Sequence, residues 1–271
     1  MNFNKKLNEL KIGIAISTYS TSKTEQKRFE IIRKSLRSLQ DTLINTKLNI
    51  YTIIVVDGDV PKKHKQLLNE FKFKCHFKKE NGGVAKAKNT SIRLLLEQNI
   101  DIGFLADDDV LYKKNFMEKY LEIILKGKIH HIGYVQMHPI VHPKEEWSNF
   151  GYVKTKINNA EIMKHGGSGV GCWLSFTPEL INKIGYFKVM EGKYGYEHIN
   201  FTHRCIHNKI IPHACDIIDA LDYMDHIGFE PVGYNQYNKN HSIEESLRKS
   251  ENNKNKKIWN KNLNEYIPLI E

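Results

Sequence analysis

Asp101–Asp109 reads DIGFLADDD: an apolar run that ends in three adjacent carboxylates. The apolar half, Asp101–Leu105, has the length and character of a strand buried on both faces. Asp107, Asp108 and Asp109 then crowd negative charge into one turn, and such charges repel unless something positive lies among them. Hard divalent cations such as Mn2+ or Mg2+ take oxygen ligands and commonly bind through one or two carboxylates plus phosphate oxygens. An Asp107-x-Asp109 pair at the end of a buried strand therefore suggests a metal–diphosphate site. The bland reading is a solvated acidic turn.

Outward from this stretch, apolar runs alternate with helical patterns. Lys11–Ser17, Ile50–Val56 and Lys74–Phe77 read as further strands. Between them, Phe29, Ile32, Leu36 and Leu39 recur at helical spacing, as do Ala85, Ile92, Leu95 and Leu96, and a short helix is expected over Lys63–Phe71. This order predicts an α/β fold with a mostly parallel sheet flanked by helices. Ligands of such sheets bind beyond the carboxyl ends of the strands. In the second half, helices are expected at Asn115–Leu125, Pro178–Ile184 and Glu197–Asn208, and strands at Ile132–Met137, Leu174–Phe176 and Ile210–Ile218. Pro139–His165 reads as polar and irregular, and the chain beyond about Glu230 is rich in Asn, Lys and Tyr. The expected organisation is one domain over 1–271 in two functional halves, 11–137 and 138–230, with a tail over 231–271.

Other polar landmarks follow the apolar runs. Ser17-Thr18-Tyr19-Ser20 ends the first strand. Asp57-Gly58-Asp59 ends the second, where a carboxylate can accept hydrogen bonds from a ribose or base, or simply serve a turn. Asn81–Asn89 reads NGGVAKAKN: Gly82 and Gly83 permit close backbone approach, and a helix carrying Lys86 and Lys88 follows.

Together these landmarks resemble the nucleotide half of the inverting family 2 glycosyltransferases. That family shows a P-T-Y-N-like first turn, a D-D-G-S-like second turn, an N-x-G-x-x-x-A-R-N loop and a D-x-D. Lys88 stands where the loop usually has Arg. Gly169–Phe187 (GVGCWLSFTPELINKIGYF) is similar to the family's acceptor turn, and Tyr194-Gly195-Tyr196-Glu197-His198 with Arg204 is similar to its G-x-E-D…R motif. The likeness spans about residues 11–218. It implies a GT-A fold and a nucleoside-diphosphate sugar as donor, a UDP-sugar being favoured. It also implies donor contacts from Thr18, Tyr19, Asp57, Asp59, Gly82, Gly83, Lys88, Asn89, Asp107 and Asp108. Asp107 and Asp109 would bind Mn2+ or Mg2+, with His241 as a third ligand and His226 as the next choice. Gly169, Gly171, Trp173 and Arg204 would line the acceptor side. The family's usual Asp after the motif Glu is here His198, so Glu197 is the first choice for the general base and His198 the second.

The net charge of +10 favours anionic partners, or reflects a lysine-rich source. Four cysteines without a C-x-x-C pair form no disulfide framework, and the polar N-terminus shows no signal peptide, so a cytoplasmic protein is expected, with attachment to a membrane face left open. The expected acceptor is a glycan or lipid-linked saccharide. Alternatives are a modified DNA base as acceptor, nucleotidyl transfer on the same fold, or a basic nucleic-acid-binding module. The last two lack, respectively, a glycine-rich basic loop after the first strand and any recognised binding motif.

Overall fold

The computed structural model describes residues 1–21, 25–44, 46–134, 152–165, 171–189 and 197–227. Four parallel strands form its centre: β1 (Lys11–Thr18), β2 (Asn49–Val56), β3 (Lys74–Phe77) and β4 (Ile102–Asp107). A fifth, β8 (Trp173–Phe176), joins β4 antiparallel, giving the order β3-β2-β1-β4-β8. The connections are the helices α1 (Glu25–Ile44), α2 (Lys62–Leu68) and α3 (Val84–Leu96). β1 lies between β2 and β4, and Ile12, Ile14, Ala15 and Ile16 are buried on both of its faces. Ile32, Leu36 and Leu39 of α1, with Ile92 and Leu95 of α3, close over the sheet, as their helical spacing predicts.

Register decides where the polar ends fall. Ser17 pairs with Asp107 and Thr18 with Val56, so the carboxyl ends of β1, β2 and β4 finish level. Thr18, Asp57 and Asp107 thus come to one edge of the sheet, where the fold leaves room for a ligand.

Elsewhere the structure departs from expectation. β5 (Val110–Tyr112) and β10 (Met224–His226) pair antiparallel, bringing residue 226 back to the acidic turn. Strands of three residues are too short to show a period, so neither was legible. Within the stretch expected to be irregular, β6 (Val153–Ile157) and β7 (Ala160–His165) form a hairpin, with β9 (Ala214–Asp216) beside β7. Lysines interleaved with β-branched residues hide the first of these strands, and Asn158 takes the left-handed conformation its turn needs (φ 49°). Of the strand expected at 132–137, the described residues show a single bridge, Gly133 to Leu174. The strand expected over 210–218 shortens to β9. The remaining helices are α4 (Phe116–Gly127), α5 (Pro178–Ile184), α6 (Glu197–His207) and α7 (Ala220–Tyr223). Among the described residues no helix is long and apolar enough to cross a membrane.

Trp173 is wholly buried. Its ring stacks on Phe104 at 4.8 Å and meets Tyr112, Phe116 and Tyr120 edge-on at 5.6–5.9 Å. This corrects its expected place on the acceptor side: the ring has no free face for a sugar, and it locks β8 and α4 to the sheet.

Behind β8, His131 contacts the Ser175 carbonyl through Nδ1 at 2.7 Å and the Thr202 hydroxyl through Nε2 at 3.0 Å. The ring is buried, so Nδ1–H donates to the carbonyl and neutral Nε2 accepts. Burial pushes its pKa down to about 4, the Ser175 bond opposing only in part. A histidine that stays neutral when folded but takes a proton when unfolded contributes stability above its unfolded pKa of about 6.5, lost as pH falls toward 4. Wild-type stability should therefore fall across that window relative to His131→Gln, by up to about 1.4 kcal/mol per pH unit. Denaturant unfolding of both proteins from pH 7.5 to 4.5 measures it, and parallel curves would refute it.

Candidate active site

The floor of the site is the end of β4. Asp107 has a third of its side chain exposed, Asp108 is buried, and Asp109 is largely buried. Asp108 turns inward: Arg28 of α1 and the Thr18 hydroxyl both donate to it. Burial pushes its pKa up to about 7, with Arg28 opposing and Asp109 adding to the rise. Thr18 in turn meets His64 Nε2 at 3.2 Å, and Ser20 meets the other ring nitrogen, so a buried polar chain fixes the end of β1. His64 is kept neutral, its pKa lowered to about 4 by burial and by Arg28.

Asp107 and Asp109 are the carboxylates left for a ligand. Lys88 Nζ lies 3.4 Å from Asp107, and Arg28 Nη1 lies 3.5 Å from Asp109 on the other flank. Asp109 Oδ1 is buried without a hydrogen-bond donor. His226 Nε2 stands 3.3 Å from it, an ion-pair contact outside hydrogen-bond geometry. Burial lowers the His226 pKa, but Asp109 outweighs it and raises the ring overall. Among the described residues no three His, Cys, Asp or Glu side chains are gathered as a complete metal cage. Two carboxylates with one orphaned buried oxygen nevertheless fit a hard cation that completes its shell with phosphate and water.

The second wall is the turn after β2. Gly58 has φ 100°, and a Cβ there would lie 2.4 Å from the Asn81 nitrogen, so only glycine lets the two turns meet. Asp57 accepts from Gly82 N at 3.1 Å, from Gly83 N at 2.9 Å and from Lys78. It shapes the Asn81–Gly83 loop and the start of α3. Asp59 is 88% exposed and pairs with Lys65 at 3.0 Å, on the solvent side of this turn. Tyr19 is exposed beside the site.

Two more expectations are corrected by burial. Asn89 is fully buried, and its amide exchanges hydrogen bonds with the Phe187 backbone at 2.8 and 2.9 Å, so it staples α3 to the second half instead of facing a nucleotide. Arg204 donates to the Ile184 and Tyr186 carbonyls and, at 3.2 Å, to Asn200, so it fixes the turn after α5. Gly169 and His241 lie outside the described residues.

The second half does bring Gly171, Glu197 and His198 to the site. Lys88 Nζ donates to the Gly171 carbonyl at 2.5 Å. A Cβ on Gly171 would lie 2.9 Å from His198 Nδ1 and 3.1 Å from Lys88 Nζ, so the missing side chain makes room for both. Glu197 opens α6 and is buried; its Oε1 lies 3.3 Å from His198 Nδ1.

Sequence reasoning missed Arg28, His64 and Lys78. Nothing distinguishes Arg28 among the basic residues of a long polar helix; only packing of α1 against the end of β4 singles it out.

The sequence profile of Glycosyl transferase family 2 matches residues 17–185. The chain belongs to that family. An uncharacterized glycosyltransferase of Acanthamoeba polyphaga mimivirus is 44% identical over 218 residues, covering 79% of this chain and 80% of that one. Among solved structures, a Pyrobaculum calidifontis mannosyltransferase in complex with GDP-Man and Mn2+ superposes with a TM-score of 0.52 at 14% identity, over 73% of this chain and 53% of that chain. Staphylococcus aureus TarS 1-349 in complex with UDP-GlcNAc gives 0.52 at 15% identity, over 82% and 61%. The chain thus spans about half to three-fifths of those structures, and the likeness shows their common GT-A fold. The protein is a glycosyltransferase with a mostly parallel sheet flanked by helices.

Proposed function

We propose that the enzyme transfers a sugar from a nucleoside-diphosphate donor, a UDP-sugar before others, to a hydroxyl of a glycan or lipid-linked acceptor, by direct displacement with inversion. The observation that carries this reading is the pair Asp107 and Asp109 at the end of β4, flanked by Lys88 at 3.4 Å and Arg28 at 3.5 Å. A dianionic leaving group needs positive charge placed in advance. Asp107 and Asp109 would hold Mn2+ or Mg2+, with His226 adjacent and His241 the further candidate. Bound there, the cation supplies Lewis-acid stabilisation of the departing diphosphate. Lys88 and Arg28 present fixed charge to the same group, and Asp57 sets the loop whose Gly82 and Gly83 border the nucleotide. The first turn of α6 supplies the proton acceptor. The solved mannosyltransferase with GDP-Man and Mn2+ and TarS with UDP-GlcNAc support donors of this class.

Thermal unfolding with UDP, GDP, CDP or ADP, each with and without Mn2+, tests the donor half. One nucleotide should stabilise the protein only with the metal present, by about 2.7 kcal/mol at one hundred times its dissociation constant. No shift with any of the four would reject the reading.

A further inference from the structure

We propose that His198 is the general base of the transfer and that Glu197 is the positioning residue that orients it. The proposal rests on the sugar-transfer reading above and assigns roles within that site.

A proton acceptor must come within hydrogen-bond reach of the hydroxyl it activates. The Glu197 side chain is only 5% exposed, whereas that of His198 is 23% exposed. A bulky acceptor can therefore meet the imidazole more readily than the carboxylate behind it. Glu197 Oε1, 3.3 Å from Nδ1, favours the tautomer with its proton on Nδ1. The Nε2 lone pair is then the basic one, and among the described residues no hydrogen bond occupies it. A carboxylate that holds one imidazole nitrogen so that the other can act is the logic of hydrolase triads.

Position agrees with this role. His198 Nδ1 and Lys88 Nζ share the space over Gly171, and Lys88 in turn lies 3.4 Å from Asp107. The imidazole thus borders the wall that the diphosphate site also uses. Among the described residues the charged groups around it are Lys88 on α3, Glu197 on α6 and, beyond the lysine, Asp107 on β4. Burial alone would raise the Glu197 pKa, but the neighbouring imidazole and Lys88 outweigh it and hold the carboxyl at about 2. Such a carboxylate is a poor proton acceptor and a good counter-charge for an imidazolium.

The step balances without further reagents. The acceptor oxygen bonds to the anomeric carbon as its proton passes to His198 Nε2. The bond from that carbon to the diphosphate oxygen breaks, and its electron pair leaves with the diphosphate. His198 ends as an imidazolium paired with Glu197, and loses its proton to water.

The test uses the full chain with Mn2+ and UDP-glucose, UDP-GlcNAc or GDP-mannose, water serving as acceptor. Nucleoside diphosphate release is measured from pH 5.5 to 9, with calorimetry of the released nucleotide plus Mn2+ for affinity. Wild-type release should rise with pH through one ionisation. H198Q and H198N should lose about 100- to 10,000-fold, the range of general-base catalysis, and keep nucleotide affinity within about threefold. E197Q should lose less, about tenfold in turnover with nucleotide affinity within about threefold, and E197D should recover part of that loss. A merely structural Glu197 would show in the unfolding midpoint and leave turnover near that of wild type. Release by H198Q within about threefold of wild type, or an E197Q protein inactive beside an active H198Q, overturns the assignment. Wild-type protein that binds no nucleotide and releases none from any donor removes the sugar-transfer reading itself, and the base with it.

Discussion

Asp109→Asn should abolish sugar transfer and leave the protein folded. Its Oδ1 is buried without a hydrogen-bond donor, between Arg28 on one side and His226 on the other. Asparagine keeps the shape and removes the charge, so the floor of the site loses half of its two-carboxylate pair. Lewis-acid stabilisation of a departing diphosphate amounts to several kcal/mol, and about 4 kcal/mol corresponds to roughly a thousandfold in rate. Folding should suffer less than from losing Asp108, since Asp109 gives up its contacts to Arg28 and His226 but also its repulsion of Asp107 and Asp108. Asp108→Asn makes the contrast. That residue touches Arg28 and Thr18 inside the protein, so its loss should appear first in stability. Turnover titrated with Mn2+, beside the unfolding midpoint, separates the two. Full activity in excess EDTA, or a wild-type rate for Asp109→Asn, would sink the metal assignment.

The nucleotide half was legible because its signals are periodic and local. β1, β2 and β4 are runs of Ile, Val, Ala and Leu buried on both faces, and each ends in the polar residues that the fold brings to one edge. Residue roles were harder to read than residue places. Asn89 and Arg204 were found through the family pattern, yet each spends its polar atoms on backbone groups of the second half. A sequence shows that an amide or guanidinium recurs at a spacing but not which carbonyl it meets. Trp173 is the same case for an apolar group. Its burial depends on Tyr112, Phe116 and Tyr120, which are distant in sequence and converge only when β8 adds to β4. His226 reaches Asp109 through two three-residue strands with no period to read, so its approach to the acidic turn was not legible.

Lys88→Met should impair both the catalyst and the fold. The ammonium is 1% exposed, donates to the Gly171 carbonyl at 2.5 Å and lies 3.4 Å from Asp107. Methionine fills the same channel without charge or donor. Asp107 then keeps His226 as a favourable charge against burial, Asp109 and Glu197, which disfavour its ionised form. Removing one partner of a fully buried pair costs about 3–5 kcal/mol. Asp107 is a third exposed, so solvent screening reduces this to about 1–3 kcal/mol. The Gly171 carbonyl loses its donor as well, and the turn carrying it is free to shift against His198. For turnover, losing a preorganised cation at a developing diphosphate charge is worth about 100- to 1,000-fold. Lys88→Arg is the informative companion, because the family pattern that this loop resembles has Arg at the same place. It should retain nucleotide affinity within about tenfold if charge is what matters, though the larger head group must be accommodated over Gly171. Calorimetry with UDP and Mn2+, single-turnover rates and unfolding midpoints distinguish the outcomes. A Lys88→Met protein with lowered stability but wild-type affinity and turnover would make Lys88 only a strut between α3 and the Gly171 turn. Arg28 would then keep its claim on the diphosphate from the other flank of the acidic pair.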